Sequence, residues 1–458
     1  MWQLKNKYKH MKIPLILTLL LFLVVSGLQA QLIFEKDEYR NRREKLMDRI
    51  PDGIAIIRGA SESLSGLAFT QYNNMMYFAG VEIPDAILIV DGEKRESTLF
   101  FTIDEDHADS ENISLDLVRE PVKITGIEHY RPYEDFSETL KNRLTKTTVI
   151  YTPFSPEEYI GENSMEKFAT FKRNITDNEW DGRLTREMQF VAVLNQRFPE
   201  NQVSNCTPFI WELRKFKSKA EIDLIRKAAQ LSVEAHKAVM KATRPGVPEV
   251  ELAALFQQVS MKGGAKGLAF GTIIMSDKNH AYGHYMKYDR ILGEKDFIIL
   301  DGGANVSYYA SDVSTTFPAS GKFTETQREI YELGLFIREI CQSMYRPGIS
   351  LTEIGAEVKK ELEKLGFDTS EPRFNLWIRD GGYNHSIGMA VHDRMHTFDR
   401  REPLQPGFVF ACDIMGMADD VTGIRIEDTV VITEDGCEIL SSGLPRTVDE
   451  IEAFMKNN

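Results

Sequence analysis

The sequence predicts an α/β amino-terminal domain followed by an α+β domain made of two similar halves, in a chain of 458 residues. Three observations carry this. Short apolar runs alternate with helical stretches up to about residue 195. Beyond residue 212 the order helix, Arg-Pro-Gly, helix, hairpin occurs twice. Each of those hairpins carries one acid on each arm, which puts like charges face to face unless a cation separates them.

In chain order, the first element is a leader over 1–30. Lys5, Lys7, Lys9 and Lys12 form a basic n-region, Ile13–Val25 is apolar, and Ser26 to Ala30 resembles a signal-peptidase site, with Met11 as a second candidate start. The apolar run is short for the ~20 residues that span a bilayer, so an uncleaved anchor is the weaker alternative. The expectation is an exported protein, periplasmic or secreted, with no stable membrane insertion once the leader is gone. Composition agrees with a globular domain pair: 42% hydrophobic and 27% charged residues exclude a fibrous or disordered chain. The formal charge of −14, about −18 without the leader lysines, argues against nucleic acid and anionic membranes as partners.

Residues 31–200 form the α/β domain. Strands are expected at Gly53–Ile57, Ala86–Val90, Ser97–Thr102 and Thr147–Tyr151, and helices at Asp37–Arg49 and Tyr133–Thr145. The acidic run Asp104, Glu105, Asp106 with His107 reads as a solvated loop, and the domain shows no cluster of potential ligands. Asn201–Pro208 reads as the linker. Cys206, Cys341, Cys412 and Cys437 show no CxxC spacing, and their pairing is left open among three connectivities. Cys412 alternates with Asp413 and is expected to face a core.

Residues 212–458 form the second domain. Ser218 with Glu221, Thr324 with Gln327 and Ser350 with Glu353 are capping boxes that open helices, and Arg244-Pro245-Gly246 and Arg346-Pro347-Gly348 close the first helix of each half. In the first half, Phe297–Leu300 is a buried strand ending at Asp301, and a reversal centred between Val306 and Ser307 would set Asp312 opposite Asp301. In the second half, Phe408–Asp413 and Gly423–Ile432 flank a short turn, and Asp413 and Glu427 are symmetric about Asp420. The duplication predicts an approximate two-fold, with the sheet of each half closing on a shared cavity where all four acids meet. Among His280, His284, His385, His392 and His396, His385 lies between the acidic pairs and is the best-placed nitrogen ligand. Four carboxylates and one imidazole suit a pair of divalent ions such as Mn²⁺, Co²⁺ or Zn²⁺, and such a pair supplies hydroxide at neutral pH.

Asp301, Asp312, His385, Asp413 and Glu427, with Gly423–Asp428 (GIRIED), Leu404–Gly407 (LQPG) and His284-Tyr285, resemble the pita-bread metallopeptidases of the aminopeptidase P and prolidase type. Tyr39–Arg43 and Asn74–Gly80 are similar to their amino-terminal domain. The resemblance implies a dinuclear exopeptidase cleaving the Xaa-Pro bond at the N-terminus of proline-containing peptides, with manganese the first choice of metal. It implies that Asp301 binds one ion, that Asp312 and Glu427 bridge both, and that His385 and Asp413 complete the shells. His284 and His392 would be non-ligand histidines that bind substrate and stabilise the oxyanion, and Arg425 the arginine beside the site. A homodimer is open, since members often pair. Three positions depart from the family: Asp413 stands for its usual Glu, Gly381 for a histidine, and Ala390 for an acid. Dipeptidase against aminopeptidase stays open, as do a metal-free creatinase-like hydrolase and a homologue with lost activity acting as a binding protein. Methionine aminopeptidase is disfavoured, because it would not need the first domain.

Overall fold

The structure, a computed structural model, describes residues 32–61, 69–393, 399–418 and 422–456. The leader, His396 and the middle of the turn around Asp420 lie outside the described residues. Two compact units emerge, one containing the described residues up to Gln71 with Met75–Thr145, the other Tyr72–Asn74 with everything from Lys146 onward.

In the first unit, helix α1 (Lys36–Met47) accompanies strands β1 (Gly53–Arg58), β2 (Ile87–Asp91), β3 (Glu96–Phe100) and β4 (His129–Arg131). β1, β2 and β3 pair antiparallel and β4 joins β3 in parallel. The runs Gly53–Ile57 and Ile87–Asp91 are buried throughout, as apolar strands covered on both faces should be. The two N-terminal motifs meet through α1: Arg42 Nη1 donates to Tyr77 O and Arg43 Nη1 to Phe78 O, both at 3.0 Å. The acidic run is no loop, because Asp104 caps a helix over Glu105–Ser110 by accepting from the His107 N–H.

The second compact unit starts at Lys146, apart from Tyr72–Asn74. Residues 146–200 belong to it, tied by the buried pair Arg214–Glu158 at 2.6 Å. The stretch read as a linker contains β6 (Val203–Asn205), which runs parallel to β5 (Val149–Thr152). Helices α2 (Lys219–Ala242), α3 (Glu249–Lys262), α4 (Glu325–Met344) and α5 (Leu351–Lys364) follow. All three expected capping boxes form at α2, α4 and α5. Their apolar faces bury residues such as Val239, Phe256, Ile337 and Val358 against strands in one core. Burying Phe256 completely contributes about 3 kcal/mol.

The two halves share one sheet rather than contributing a sheet each. β8 (Ile273–Ser276), β9 (Phe297–Asp301) and β12 (Ser314–Pro318) come from the first half, and β13 (His385–Ser386), β14 (Val409–Met417) and β15 (Gly423–Ile432) from the second. The order is β13-β14-β15-β12-β9-β8, with β16 (Cys437–Ile439) also beside β15. This order reads the same from either edge, so the two-fold passes between β12 and β15. A small sheet of β7 (Gly267–Leu268), β10 (Ala304–Val306) and β11 (Tyr309–Ala310) lies beside it.

The register of the first hairpin differs from expectation. Val306 pairs Tyr309, and Ser307 and Tyr308 both have positive φ (50° and 73°), so the reversal is a two-residue turn of the I′ kind centred one residue later. Asp301 therefore faces Ser314, and Asp312 sits two residues away on the same face. A two-residue offset keeps the side chains on one face, where a one-residue slip would have reversed them. Gly303 makes this close approach possible, because a Cβ there would lie 1.9 Å from the Ser311 carbonyl oxygen. The second hairpin pairs Asp413 with Glu427, as the spacing required. Among the described residues, no helix is long and apolar enough to cross a membrane.

The seam between halves has little backbone ladder: among the described residues only Ser314↔Glu427 registers between β12 and β15. Side chains replace the rest. Thr316 Oγ1 donates to Arg425 O (2.8 Å) and accepts from Arg425 N (2.9 Å), while Thr429 Oγ1 donates to Asp312 O (2.7 Å) and accepts from Asp312 N (3.0 Å). From the other face of the sheet, Arg446 donates to Ser314 O and Glu427 O, each at 2.8 Å.

Candidate metal centre

Cross-strand register builds the site. Asp413, Glu427, Ser314 and Asp301 are successive partners on β14, β15, β12 and β9, so they form a row across one face. Asp312 lies two residues before Ser314, Arg425 two before Glu427, and His385 pairs with Ala411, two before Asp413. Period-two geometry therefore points all of them to the same side.

These groups are buried, each at 6% exposure or less. Oxygens of Asp301, Asp312 and Glu427 lie within 4.8 Å of one another, and so do single donor atoms of Asp312, His385 and His392. Arg425 holds the second oxygens: Nη1 donates to Asp301 Oδ2 (2.5 Å), and Nη2 and Nε to Asp413 Oδ2 (2.8 and 3.1 Å). Ser314 Oγ donates to Glu427 Oε2 at 2.8 Å. His385 Nδ1 donates to Val391 O at 3.1 Å, which leaves Nε2 as a lone-pair donor 3.4 Å from Asp312 and 3.6 Å from Glu427.

What remains decides what the site fits. Asp301 Oδ1, Asp312 Oδ1, Asp413 Oδ1, Glu427 Oε1 and His385 Nε2 are all buried without a hydrogen-bond partner. A buried polar atom without a partner costs about 1–3 kcal/mol, so five acceptors facing one hollow fit bound cations. In their absence, burial and then the Glu427 charge push Asp312 well above the usual carboxylate range, and burial pushes Asp413 the same way. Burial lifts Glu427 to about 7, and burial above all lowers His385 well below the ordinary imidazole value, so that it is neutral. Divalent ions reverse this logic by favouring the charged carboxylates.

Asp413 stands outside both close trios. Its short side chain gives one oxygen to Arg425, and only Oδ1 is left. His392, expected beside the ligands, is in one trio, its ring 4.2 Å from that of His385. The exposed His284 lines a cavity of about 260 Å³ with Phe270, Met286, Asp301, His392 and Arg425. A second cavity of about 520 Å³ adjoins it through His284 and Met286. His280 is structural: Nδ1 accepts from Gly423 N and Nε2 donates to Met275 O, and burial lowers its pKa to about 4. Gly381 cannot be the family's histidine here, since its φ is +76° and a Cβ would meet Cys341 Sγ at 2.8 Å. Cys412 is buried in the core, and all four cysteines are free thiols.

Sequence reasoning missed Glu166 and Asn163. Glu166 Oε1 accepts from His392 Nδ1 at 2.7 Å, and Asn163 Nδ2 donates to His392 O. They lie 226 and 229 residues from His392, in a stretch without any ligand pattern. The one sequence signal was local: Asn163 three residues before Glu166 is an N-cap arrangement.

Comparison with known proteins finds a family for the chain. Residues 223–434 match metallopeptidase family M24, and 39–151 match the aminopeptidase P N-terminal domain. The chain is 30% identical to the Xaa-Pro dipeptidase of Rattus norvegicus over 61% of its own length and 67% of the relative's. The chain belongs to metallopeptidase family M24. It is also 28% identical to the Xaa-Pro aminopeptidase of Escherichia coli K12, covering 92% of this chain and 98% of that protein. The solved proline aminopeptidase P II from Yersinia pestis superposes with a TM-score of 0.75 at 26% identity, over 93% of this chain and all of the other. Aminopeptidase P from E. coli in its low-pH form gives 0.74 at 26% identity, over 93% and 99%. The second unit thus has the pita-bread fold of an M24 peptidase, a hydrolase that works with divalent metal ions.

Proposed function

We propose that this M24 peptidase is an Xaa-Pro aminopeptidase with a dinuclear centre, removing the N-terminal residue that precedes proline. The observation that carries the reading is the set of five buried donor atoms without partners on one sheet face. Asp301, Asp312, His385, Asp413 and Glu427 would hold two ions, with manganese favoured by the oxygen-rich set and cobalt or zinc as substitutes. Bound there, the ions lower the pKa of water so that hydroxide is available near neutral pH.

The chain's own residues do the rest. The Asp413 carboxylate, anchored by Arg425 through Oδ2, would take the proton of the attacking water and pass it to the departing proline nitrogen. That nitrogen needs a delivered proton, and its amide offers no N–H for recognition, which is why a dedicated site is required. His284 and His392, at the cavity wall, would orient the scissile carbonyl and stabilise its developing charge. The adjoining cavity past His284 and Met286 would take residues after proline, which an aminopeptidase substrate has and a dipeptide lacks. The names of the relatives in E. coli and in Homo sapiens, Xaa-Pro aminopeptidase and Xaa-Pro aminopeptidase 3, support the same reading. The leader pattern adds export to the proposal, and the family habit adds a homodimer.

The test is release of the first amino acid from Xaa-Pro-Xaa peptides, Xaa-Pro dipeptides and proline-free controls, with Mn²⁺, Co²⁺ or Zn²⁺ added to the purified protein. The reading expects the longer proline peptides to be cleaved best. Absence of cleavage with every metal, despite metal binding, would leave a binding protein instead.

A further inference from the structure

His392 is held from three directions. Its carbonyl accepts from Asn163 Nδ2. The next residue, Asp393, is buried and ion-paired to Arg214 and, at 3.6 Å, to Lys217, and its N–H donates to Ser386 O at 3.0 Å. Arg214 in turn donates to Asn74 Oδ1 at 3.0 Å. With the His392 carbonyl and the next residue held, the imidazole still has its own rotation. Glu166 removes it by accepting from Nδ1 at 2.7 Å.

The same short turn makes both contacts. Asn163 caps the helix over Ser164–Phe171, its Oδ1 accepting from Glu166 N at 3.2 Å while its Nδ2 reaches His392 O. Glu166 is thus set at the third helical position by the residue that holds the His392 main chain. Glu166 also lines the 260 Å³ cavity beside His284.

We propose that Glu166 is a positioning residue: it fixes His392 as the Nδ1–H tautomer and aims Nε2, the only ring nitrogen then available, into the substrate cavity. A neutral imidazole has one donor and one acceptor nitrogen, and the partner on one sets the role of the other. The hydrogen bond to His392 holds Glu166 below the usual carboxylate range, so the acceptor is charged at neutral pH. The role of His392 toward substrate rests on the function proposed above; the tautomer assignment does not.

Two measurements test it. The first is imidazole ¹⁵N NMR on metal-free protein, with His392 assigned by a His392→Gln control. Wild type should show the Nδ1–H form, Glu166→Ala should lose it, and Glu166→Gln should keep it, because the Gln carbonyl still accepts. The second is steady-state kinetics on an Xaa-Pro-Xaa peptide with Mn²⁺. Misplacing a group at the reacting centre costs on the order of 10²-fold, so about 10–100-fold is expected here. Glu166→Ala should lose that in kcat/KM, mostly in kcat, and Glu166→Gln should stay within about threefold of wild type. An unchanged tautomer in Glu166→Ala, or equal losses in the Ala and Gln variants, overturns the proposal. If wild type cleaves no proline peptide while the NMR result holds, the function proposed above fails and the assignment of Glu166 stands.

Discussion

Arg425→Met separates the two ways the site can be neutralised. Methionine retains most of the stem and removes a guanidinium that touches Asp301 at 2.5 Å and Asp413 at 2.8 and 3.1 Å. In metal-free protein this leaves four buried acids without a cation. Breaking a buried pair costs about 3–5 kcal/mol, and protonation of Glu427, already lifted to about 7, limits the loss to that range. At roughly 2 °C per kcal/mol for a chain this long, the melting temperature of the catalytic unit should fall by about 6–10 °C. Two divalent ions bring four positive charges, so with saturating Mn²⁺ the fall should be less than half as large. Thermal scans of wild type and variant, stripped and loaded, read both numbers. Equal falls with and without metal would refute the reasoning, because they would assign Arg425 to packing rather than to charge.

The remaining predictions address pH, the seam and the short acid. Glu427 is raised by burial from an ordinary value near 4.3 to about 7, so its contribution is present below about pH 4 and lost as pH rises through 7. Metal-free protein should therefore lose about 3 kcal/mol between pH 5 and 8, and loaded protein should not; thermal scans across pH decide. His236 acts oppositely, since burial lowers it to about 3, so its contribution holds above about pH 6.5 and falls away in acid. Thr429→Val leaves the N–H of Asp312 without a partner and should cost about 1–3 kcal/mol and weaken Mn²⁺ binding, while Thr429→Ser should do neither. Calorimetric titration with Mn²⁺ measures the difference. Asp413→Glu forces a methylene into a fully buried place already gripped by Arg425 and should lower kcat/KM; a gain would mean that the shorter acid is a defect.

Much of this architecture was legible because local chemistry agreed with tertiary need. The capping boxes at Ser218, Thr324 and Ser350 satisfy their own helix ends, so they could be read without any partner. Asp413 and Glu427 could be paired because a short turn leaves little freedom of register. The pairing of Asp301 failed where a two-residue turn with positive φ at Ser307 and Tyr308 won over the symmetric guess; neither residue advertises that conformation. The single sheet was hidden because its central seam is made by Thr316, Thr429 and Arg446 side chains rather than by a strand pattern. Glu166 was invisible for a different reason. Its partner is more than two hundred residues away, and the Asn163 cap three residues before it marks a helix start rather than a site.

The broken likeness of the two halves has a last consequence. Thr316 and Thr429 match across the axis, but Ser314 stands where its mate is Glu427, and Asp312 where its mate is Arg425. A peptide has a head and a tail, and a cradle with identical arms would accept it either way round. Divergence at these two pairs, with the imidazoles of His385 and His392 supplied from one side only, gives the hollow a sense of direction, so that one end of a chain can be told from the other.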